Sequence, residues 1–423
     1  MKTKVSIIIP VYNVEKYIRQ TLDSVVNQTL KEIEIIVVDN KSTDKTLEII
    51  NEYAKNDDRF VIYKNTVNLK QGVARNFAVK MARSEYIFFI DGDDYMELDA
   101  VEKLYNRIVE TGADLTLCTW NQFDDRTGKI DKNHVYAKLK QVPEELDDGF
   151  NWRDIKTSVF WQTSVPWDKM YKRDFLIGKN VMFPGGTFFE DNAFVYDALF
   201  KAEKMSVLRE DLIYYRINRR NAVTNSKNKT FFDYLGIFNL IGENLKNVGL
   251  FEEMKGFYWD YKIITLYWWF MKIRLPYKKR FFDMMKEDFK NLEISEEDKK
   301  LVRNRTLFLL DRVTKLPFYV YYPLFYFFDK IYRVEKGVYN YTEIWFSTFE
   351  KWHEYKKEEP KIEETICEQD CDCQTNEEVF VENNEQGCEQ IVENQTCEVQ
   401  AEVCEQTCEQ EQTEQVVEEK VEV

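Results

Sequence analysis

Histidine is nearly absent from this chain: two occur in 423 residues, His134 and His353. That scarcity argues against a Ser–His triad or a histidine-rich zinc site. Cysteine is missing wherever a fold would use it, because seven of the eight lie at or beyond Cys367 and only Cys118 precedes them. Such a distribution argues against a disulfide-stapled secreted fold. Neither a G-x-x-x-x-G-K-[ST] loop nor a G-x-G-x-x-G turn follows the first apolar run, so P-loop and dinucleotide-binding readings fail. No stretch approaches the roughly 20 apolar residues of a membrane-spanning helix. The longest, residues 318–328, is short, rich in tyrosine and broken by Pro323. The opening MKTKVSIIIPVYN is basic and then apolar, but it has no small-residue cleavage site and soon meets Pro10. It reads as a first strand and not as a signal peptide. The cytoplasm, where thiols stay reduced, is the expected location.

Charge is unevenly placed. Of the net −16, residues 361–423 account for −18, with 20 Asp and Glu against two Lys, and the preceding 360 residues sum to +2. A nucleic-acid binder built on a strongly basic domain is thereby excluded. The last part repeats C-E-Q at Cys367, Cys388, Cys404 and Cys408 without a fixed period. Residues 359–423 are accordingly expected to be a disordered acidic Cys/Glu/Gln-rich tail. The cluster Cys367, Cys371 and Cys373 does not have a standard zinc spacing.

The first hundred residues alternate between two periodicities. Residues 5–9 and 33–38 are apolar, β-branched runs of the kind buried on both faces of a parallel sheet, and 60–63 and 86–90 continue the series. Helical spacing occupies 15–28, 72–82 and a stretch through Leu47, Ile50 and Tyr53, which Ser42 or Thr43 can cap. A helix over 100–111 and a strand over 114–120 follow. This is an α/β chain with right-handed crossovers, and ligands on such sheets sit at the carboxyl ends of the strands. The polar residues fall there: Tyr12 and Asn13 after the first strand, Asp39 after the second, Asn68 after the third, and Asp91, Asp93 and Asp94 after the fourth.

Asp91-Gly92-Asp93 places two carboxylates where they can face one divalent cation. Mg²⁺ or Mn²⁺ would accept those oxygens and keep positions open for phosphate. Gly92 permits a tight turn and leaves room for a ligand. A carboxylate-held metal without a P-loop suits an enzyme that stabilises a departing diphosphate.

Four motifs then carry a resemblance: VSIIIPVYNVEKYIRQTLDSVVNQT, IEIIVVDNKSTD, NLKQGVARNFAV and EYIFFIDGDDYM, continuous over about residues 4–105. They resemble family 2 glycosyltransferases of the GT-A fold, and weaker likeness continues through VPWDKMYKRDF, FFEDNAFVYDA and YYRINRRNAVT. The resemblance implies a mostly parallel nucleotide-sugar-binding sheet flanked by helices, and an inverting transferase that uses a nucleotide-diphosphate sugar, UDP above all, with Mn²⁺ or Mg²⁺. Carried over by position, Pro10, Tyr12 and Asn13 would line base and ribose, and Asp39 would accept the uracil N3–H. Asn68 and Arg75 would approach the ribose and the diphosphate-side carboxylates. Asp91 and Gly92 would border the donor, Asp93 would be the direct metal ligand with Asp91 beside it, and Asp94 would stand behind them. Asn40-Lys41 departs from the family's usual aspartate and glycine. Asp191 is the expected base for the acceptor hydroxyl, with Glu190 orienting or replacing it.

Lys169, Arg173, Arg216, Arg219 and Arg220 are candidates for gripping the diphosphate or an anionic acceptor, with surface solvation as the competing reading, and Trp167 either stacks on an acceptor sugar or is a buried core tryptophan. Residues 1–228 are expected to form the catalytic domain, and 229–358 a helical region with stripes at Tyr234, Ile237, Phe238, Ile241, Leu245 and Val248, and at Phe257, Tyr261, Ile264 and Trp268. Residues 255–336 hold 18 Lys and Arg against 11 Asp and Glu, interleaved with Trp268, Trp269, Phe281 and Phe282. That mixture suits peripheral contact with an anionic membrane at its inner face, where a lipid-linked acceptor would lie, or equally a helical cap whose aromatics form its own core. The reading is a hexosyl- or N-acetylhexosaminyl-transferring enzyme acting on a glycan or lipid-linked acceptor in cell-surface polysaccharide synthesis. The competing reading is a catalytically silent nucleotide-sugar-binding scaffold that recruits partners through its tail.

Overall fold

Unbroken runs of Ile and Val build the centre of the sheet. Strands β1 (Val5–Val11) and β2 (Ile33–Asp39) are buried at every position, as strands covered on both faces must be. In the computed structural model, which describes residues 2–219 and 228–323, they pair in parallel with β3 (Phe60–Lys64) and β4 (Tyr86–Phe89) in the order β3-β2-β1-β4. The sheet then changes character. β8 (Lys169–Lys172) runs antiparallel between β4 and β6 (Leu115–Asp124), and β6 pairs in parallel with β9 (Met205–Ile217). The short β5 (Tyr95–Met96) closes that edge against β9, and β7 (Ile130–Asp131) folds back on β6.

The two-residue side-chain period divides the core into two layers. Ile8, Ile36, Val38, Ile87 and Phe89 point to one face, while Ile7, Ile9, Ile35, Val37 and Phe88 point to the other. Helices α1 (Ile18–Val26), α2 (Thr46–Ala54) and α4 (Ala100–Thr111) cover the second face. The first face takes α3 (Lys70–Met81), α5 (Arg173–Gly178) and α6 (Glu190–Lys201). Its apolar cluster continues without interruption into α7 (Asp233–Asn247), α8 (Phe251–Lys272), α9 (Leu275–Lys290) and α10 (Asn304–Lys315). The described residues belong to one compact unit, so position 228 marks a change from sheet to helices within a shared core.

Several expectations shift in detail. Ser42 and Thr43 do not cap α2; Asp44 Oδ1 accepts the Thr46 amide at 3.0 Å instead, and Ser42 and Thr43 bond to the loop after β1. The α7 stripe is buried from Tyr234 to Leu245, but of the α8 stripe only Tyr261 is buried. Helix α8 packs against α7, α9 and α10, so its buried residues are not confined to one face. Phe281 and Phe282, which the sequence leaves open between a membrane face and a helical core, are fully buried in the core, while Leu275, Phe308 and Tyr319 stand exposed. Among the described residues no helix is long and apolar enough to cross a membrane. The tail lies outside the described residues.

Trp167 and Lys169, candidates for ligand contact, lie in the core just before and at the start of β8. Trp167 stacks on Tyr215 (5.3 Å between centroids) and meets Trp120 edge-on, leaving no face for a sugar. Lys169 is completely buried, and its Nζ donates to Asp168 Oδ1 at 2.5 Å and to the carbonyls of Thr163 and Val165 at 2.8 and 2.9 Å. All its donors are spent on protein acceptors, because an ammonium removed from water must find partners inside. Lys169→Met should therefore strand the Asp168 carboxylate and destabilise the fold by about 3–5 kcal/mol, read from urea denaturation midpoints.

Candidate active site

The carboxyl ends of β1, β2 and β4 carry the loops that form the site. Pro10 is buried within β1; after the strand, Tyr12 is 46% exposed and Asn13 has a φ of 52°. The Asn13 amide donates to Ser42 Oγ (3.0 Å) and its Oδ1 accepts the Thr43 amide (2.8 Å). Asp39, buried at the end of β2, accepts the Ser42 amide on its two oxygens at 3.1 and 3.3 Å. The two loops are thus stapled together. The Asn40-Lys41 departure also has a local reason. Asn40 Oδ1 accepts from Asn65 Nδ2 at 2.8 Å, and the Asn40 amide donates to Val11 O, a neutral bracing across three strand ends. Lys41 has a φ of 64°, the left-handed conformation that glycine adopts without strain, so lysine holds this turn at a backbone cost. Asn68 lies exposed on the rim and accepts the Lys70 amide at 2.9 Å, turning the chain into α3.

One face of α3 then meets the segment before α6. Gly72, Arg75 and Asn76 stand at i, i+3 and i+4, the spacing that shares a helix face. A Cβ on Gly72 would lie 2.8 Å from Pro184 O and 2.9 Å from Glu190 Cγ, so glycine is what allows α3 this close. Asn76 exchanges two hydrogen bonds with the backbone of Phe183. Between them Arg75, with no exposed surface, donates to Asp91 Oδ1 (2.6 Å), Glu190 Oε1 (3.0 Å) and Asp191 Oδ1 (2.7 Å). Its guanidinium also lies 5.1 Å from the Phe183 ring. The expected metal-side carboxylate and the expected E-D pair, a hundred residues apart in sequence, are gathered on one cation.

The D-x-D turn follows β4. A Cβ on Gly92 would lie 2.9 Å from Val11 Cγ1, so this turn packs directly on the end of β1. Asp93 pairs with Arg219, and burial pushes its carboxyl up to about 6 against the opposing pull of that guanidinium. Asp94 is buried: one oxygen accepts the Arg216 amide at 2.7 Å, and Oδ2 has no hydrogen-bond partner. Burial and the neighbouring Asp93 hold the Asp94 proton well above the usual carboxylate range. Asp191, 23% exposed, is also raised, by burial first, with Arg75 opposing.

Arg216 is structural in this arrangement. Its Nε donates to Asp93 O (2.7 Å), its terminal nitrogens reach Asp125 (2.8 Å) and Gln20 (2.6 Å), and it lies over the Tyr17 ring. Gln20, Asp125 and Tyr17 were absent from the sequence candidates; Tyr17 and Gln20 lie at the start of α1 and Asp125 follows β6, and nothing in their local patterns marks them. Arg219 is the basic candidate found at a donor-side carboxylate. Arg173 is held near Asp174 at 3.8 Å, away from the cluster, and Arg220 lies outside the described residues.

Around this edge stand five carboxylates (Asp91, Asp93, Asp94, Glu190 and Asp191) against three guanidiniums (Arg75, Arg216 and Arg219). That excess, the unpaired Asp94 oxygen and an all-oxygen donor set fit a hard divalent cation at Asp91 and Asp93. Among the described residues no three His, Cys, Asp or Glu side chains form a ready-made cage, so oxygens of a phosphate ligand would have to complete the shell.

Removing Arg75 should be felt at once. Arg75→Met leaves three facing carboxylates without their shared cation, and unfolding free energy at neutral pH should drop by about 3–5 kcal/mol. Part of that loss should return as the pH falls through the range, above that of ordinary carboxylates, in which buried Glu190 and Asp191 take up protons, read in a pH series of chemical denaturation.

Comparison with known proteins fits this arrangement. The sequence profile of Glycosyl transferase family 2 matches residues 6–189. A poly(ribitol-phosphate) beta-glucosyltransferase of Bacillus spizizenii is 36% identical over 233 residues, 51% of this chain and 32% of its own length. The chain thus spans about a third of that relative. EpsH of Bacillus subtilis is 32% identical over 59% of this chain and 72% of its own length. Among solved structures, Staphylococcus aureus TarS 1-349 in complex with UDP-GlcNAc superposes with a TM-score of 0.60 at 23% identity, covering 74% of this chain and 87% of that one. That likeness is one of fold. Taken with the profile and the coverage of EpsH, it leaves one conclusion: the chain belongs to glycosyltransferase family 2.

Proposed function

We propose that the protein moves a hexosyl or N-acetylhexosaminyl group from a UDP-sugar to a hydroxyl of a glycan or lipid-linked acceptor, with inversion. The observation that carries this reading is the Arg75 bridge, which holds the donor-side Asp91 and the acceptor-side Asp191 within reach of one guanidinium. An inverting transfer needs those two functions on either side of a single anomeric carbon. The UDP-GlcNAc bound by the TarS fragment and the glucosyl transfer named for the B. spizizenii relative support the donor class.

In this reading Pro10, Tyr12, Asn13, Asp39 and Asn68 hold the nucleoside, with Gly92 keeping the floor open. Asp93 and Asp91 would hold Mn²⁺ or Mg²⁺, which when bound supplies positive charge to the leaving diphosphate. Arg219, released from Asp93, would turn to the same phosphates. The acceptor oxygen attacks the anomeric carbon as the bond to the diphosphate breaks and its electron pair leaves with UDP. The proton of that hydroxyl passes to an Asp191 carboxylate oxygen. A pKa raised by burial makes Asp191 a stronger base than an exposed aspartate, provided the site is worked at a pH where it is ionised. Glu190, nine-tenths buried against Arg75, orients the pair.

A panel of sugar nucleotides assayed for UDP release and product with Mn²⁺ tests the proposal. Asp93→Ala should reduce metal-dependent turnover by about 10²-fold or more, and calorimetry should show weakened Mn²⁺–UDP binding. Asp191→Asn should keep UDP binding and lose about 10²–10⁴ in transfer rate. Transfer at the wild-type rate by Asp191→Asn would remove the base assignment, and silence toward every donor would favour the scaffold reading.

A further inference from the structure

Phe189, the residue immediately before the Glu190-Asp191 pair, is held in the left-handed region at φ 65°. A phenylalanine does not adopt that conformation without compensation, since its Cβ crowds the following carbonyl. The compensation is aromatic and comes from the helical region. The Phe189 ring stacks on Tyr234 of α7 at 4.0 Å and 18°, Tyr234 stacks in turn on Trp269 of α8 at 4.9 Å and 23°, and Phe231 fits edge-on against Trp269 at 4.7 Å. The backbone on the other side is pinned as well. Asp233 Oδ2 accepts the Phe188 amide at 2.8 Å, and Lys70 Nζ donates to Gly186 O at 2.6 Å while lying 4.2 Å over the Phe188 ring.

We infer that Tyr234, backed by Trp269, is a positioning residue for the acceptor-side base: its ring clamps Phe189 in the left-handed conformation and thereby aims Glu190 and Asp191 at Arg75. This rests on the proposed base role of Asp191 and extends it to the helical region. The direction of the chain explains why one ring matters. A left-handed residue at the entrance of α6 sets the angle at which the first helical turn leaves the loop, and both carboxylates sit on that first turn. Relaxing Phe189 to a right-handed or extended conformation would swing the turn, and Asp191 Oδ1 would lose its 2.7 Å contact with Arg75. The Tyr234 hydroxyl has no part in the stack, so the ring alone should suffice.

The test uses the full chain. Tyr234→Ala should lower kcat for transfer by about tenfold or more, since misplacement of a reacting group by about 1 Å costs up to 10²-fold. Its UDP affinity by calorimetry should stay within about twofold of wild type, because the ring contacts of Tyr234 are with Phe189, Phe231, Phe238 and Trp269, none of them on the loops that carry Tyr12, Asn13 and Asp39. Tyr234→Phe should restore kcat. Phe189→Gly should lose kcat like Tyr234→Ala, even though glycine accepts φ 65° freely, because the clamped ring is gone. A crystal structure of Tyr234→Ala should show Asp191 displaced from Arg75, a readout that does not depend on finding the donor. Wild-type kcat in either Tyr234→Ala or Phe189→Gly, an undisplaced Asp191, or UDP binding lost in parallel with kcat would each overturn the inference. If instead the wild-type chain transfers no sugar, the base role fails, and the crystal structure still decides the clamp.

Discussion

A guanidinium with no exposed surface is the constraint around which this site is arranged. Burying Arg75 costs several kcal/mol in lost hydration unless the charge is answered inside the protein. It is answered at the two terminal nitrogens by three carboxylates from two distant places, Asp91 at the end of β4 and Glu190 with Asp191 at the start of α6. Much of the surrounding geometry follows from keeping those places within 3 Å of one side chain. Gly72 lets α3 press against the loop, Asn76 ties that loop by its backbone, and Phe183 covers the guanidinium face. A bulkier residue at position 72 would push apart the very elements Arg75 must join.

The sheet solves the same problem at larger scale. Four parallel strands supply the donor-side loops, but a purely parallel continuation would send the next segment out beyond the sheet edge. Inserting β8 antiparallel between β4 and β6 returns the chain beside the D-x-D strand and delivers α6 over the first face. The buried Asp168-Lys169 pair sits at the entrance to β8, where the chain turns inward, and satisfies carbonyls that no strand reaches. The helices from α7 onward complete this face and share its core, so they contribute to the shape of the site as well as to its cover.

How far such an arrangement can be read from sequence depends on whether the signal is local. The first four strands and α3 were legible because each is a continuous apolar run or a helical stripe. The strand-end residues were legible because a parallel sheet sends every such loop to one edge. Strands β8 and β9 were not: β8 spans only Lys169–Lys172, and β9 carries Arg209, Glu210 and Asp211 in its middle and shifts register against β6 near Thr119. Position-specific charge was the least legible of all. Lys169, Arg216 and Arg219 look alike in sequence, yet the first is core, the second braces Asp93 and Asp94, and the third meets the Asp93 carboxylate. What separates them is burial and the partners that happen to face them, and both are set by strands the sequence does not announce.

That distinction also bears on which basic groups remain for a ligand. A guanidinium whose nitrogens already donate to Gln20, Asp125 and a backbone carbonyl, as Arg216 does, has little left to offer a phosphate. Once the structural arginines are set aside, the edge of the sheet is short of positive charge, and the shortage is concentrated at Asp91, Asp93 and Asp94. The carboxylates there cannot be treated one by one. Asp91, Glu190 and Asp191 share a single counter-ion, so removal of any one changes the field at the other two. Arg75 is thus the link between the donor side and the acceptor side, and its strength is the departure from additivity when Arg75 is replaced together with one of these carboxylates.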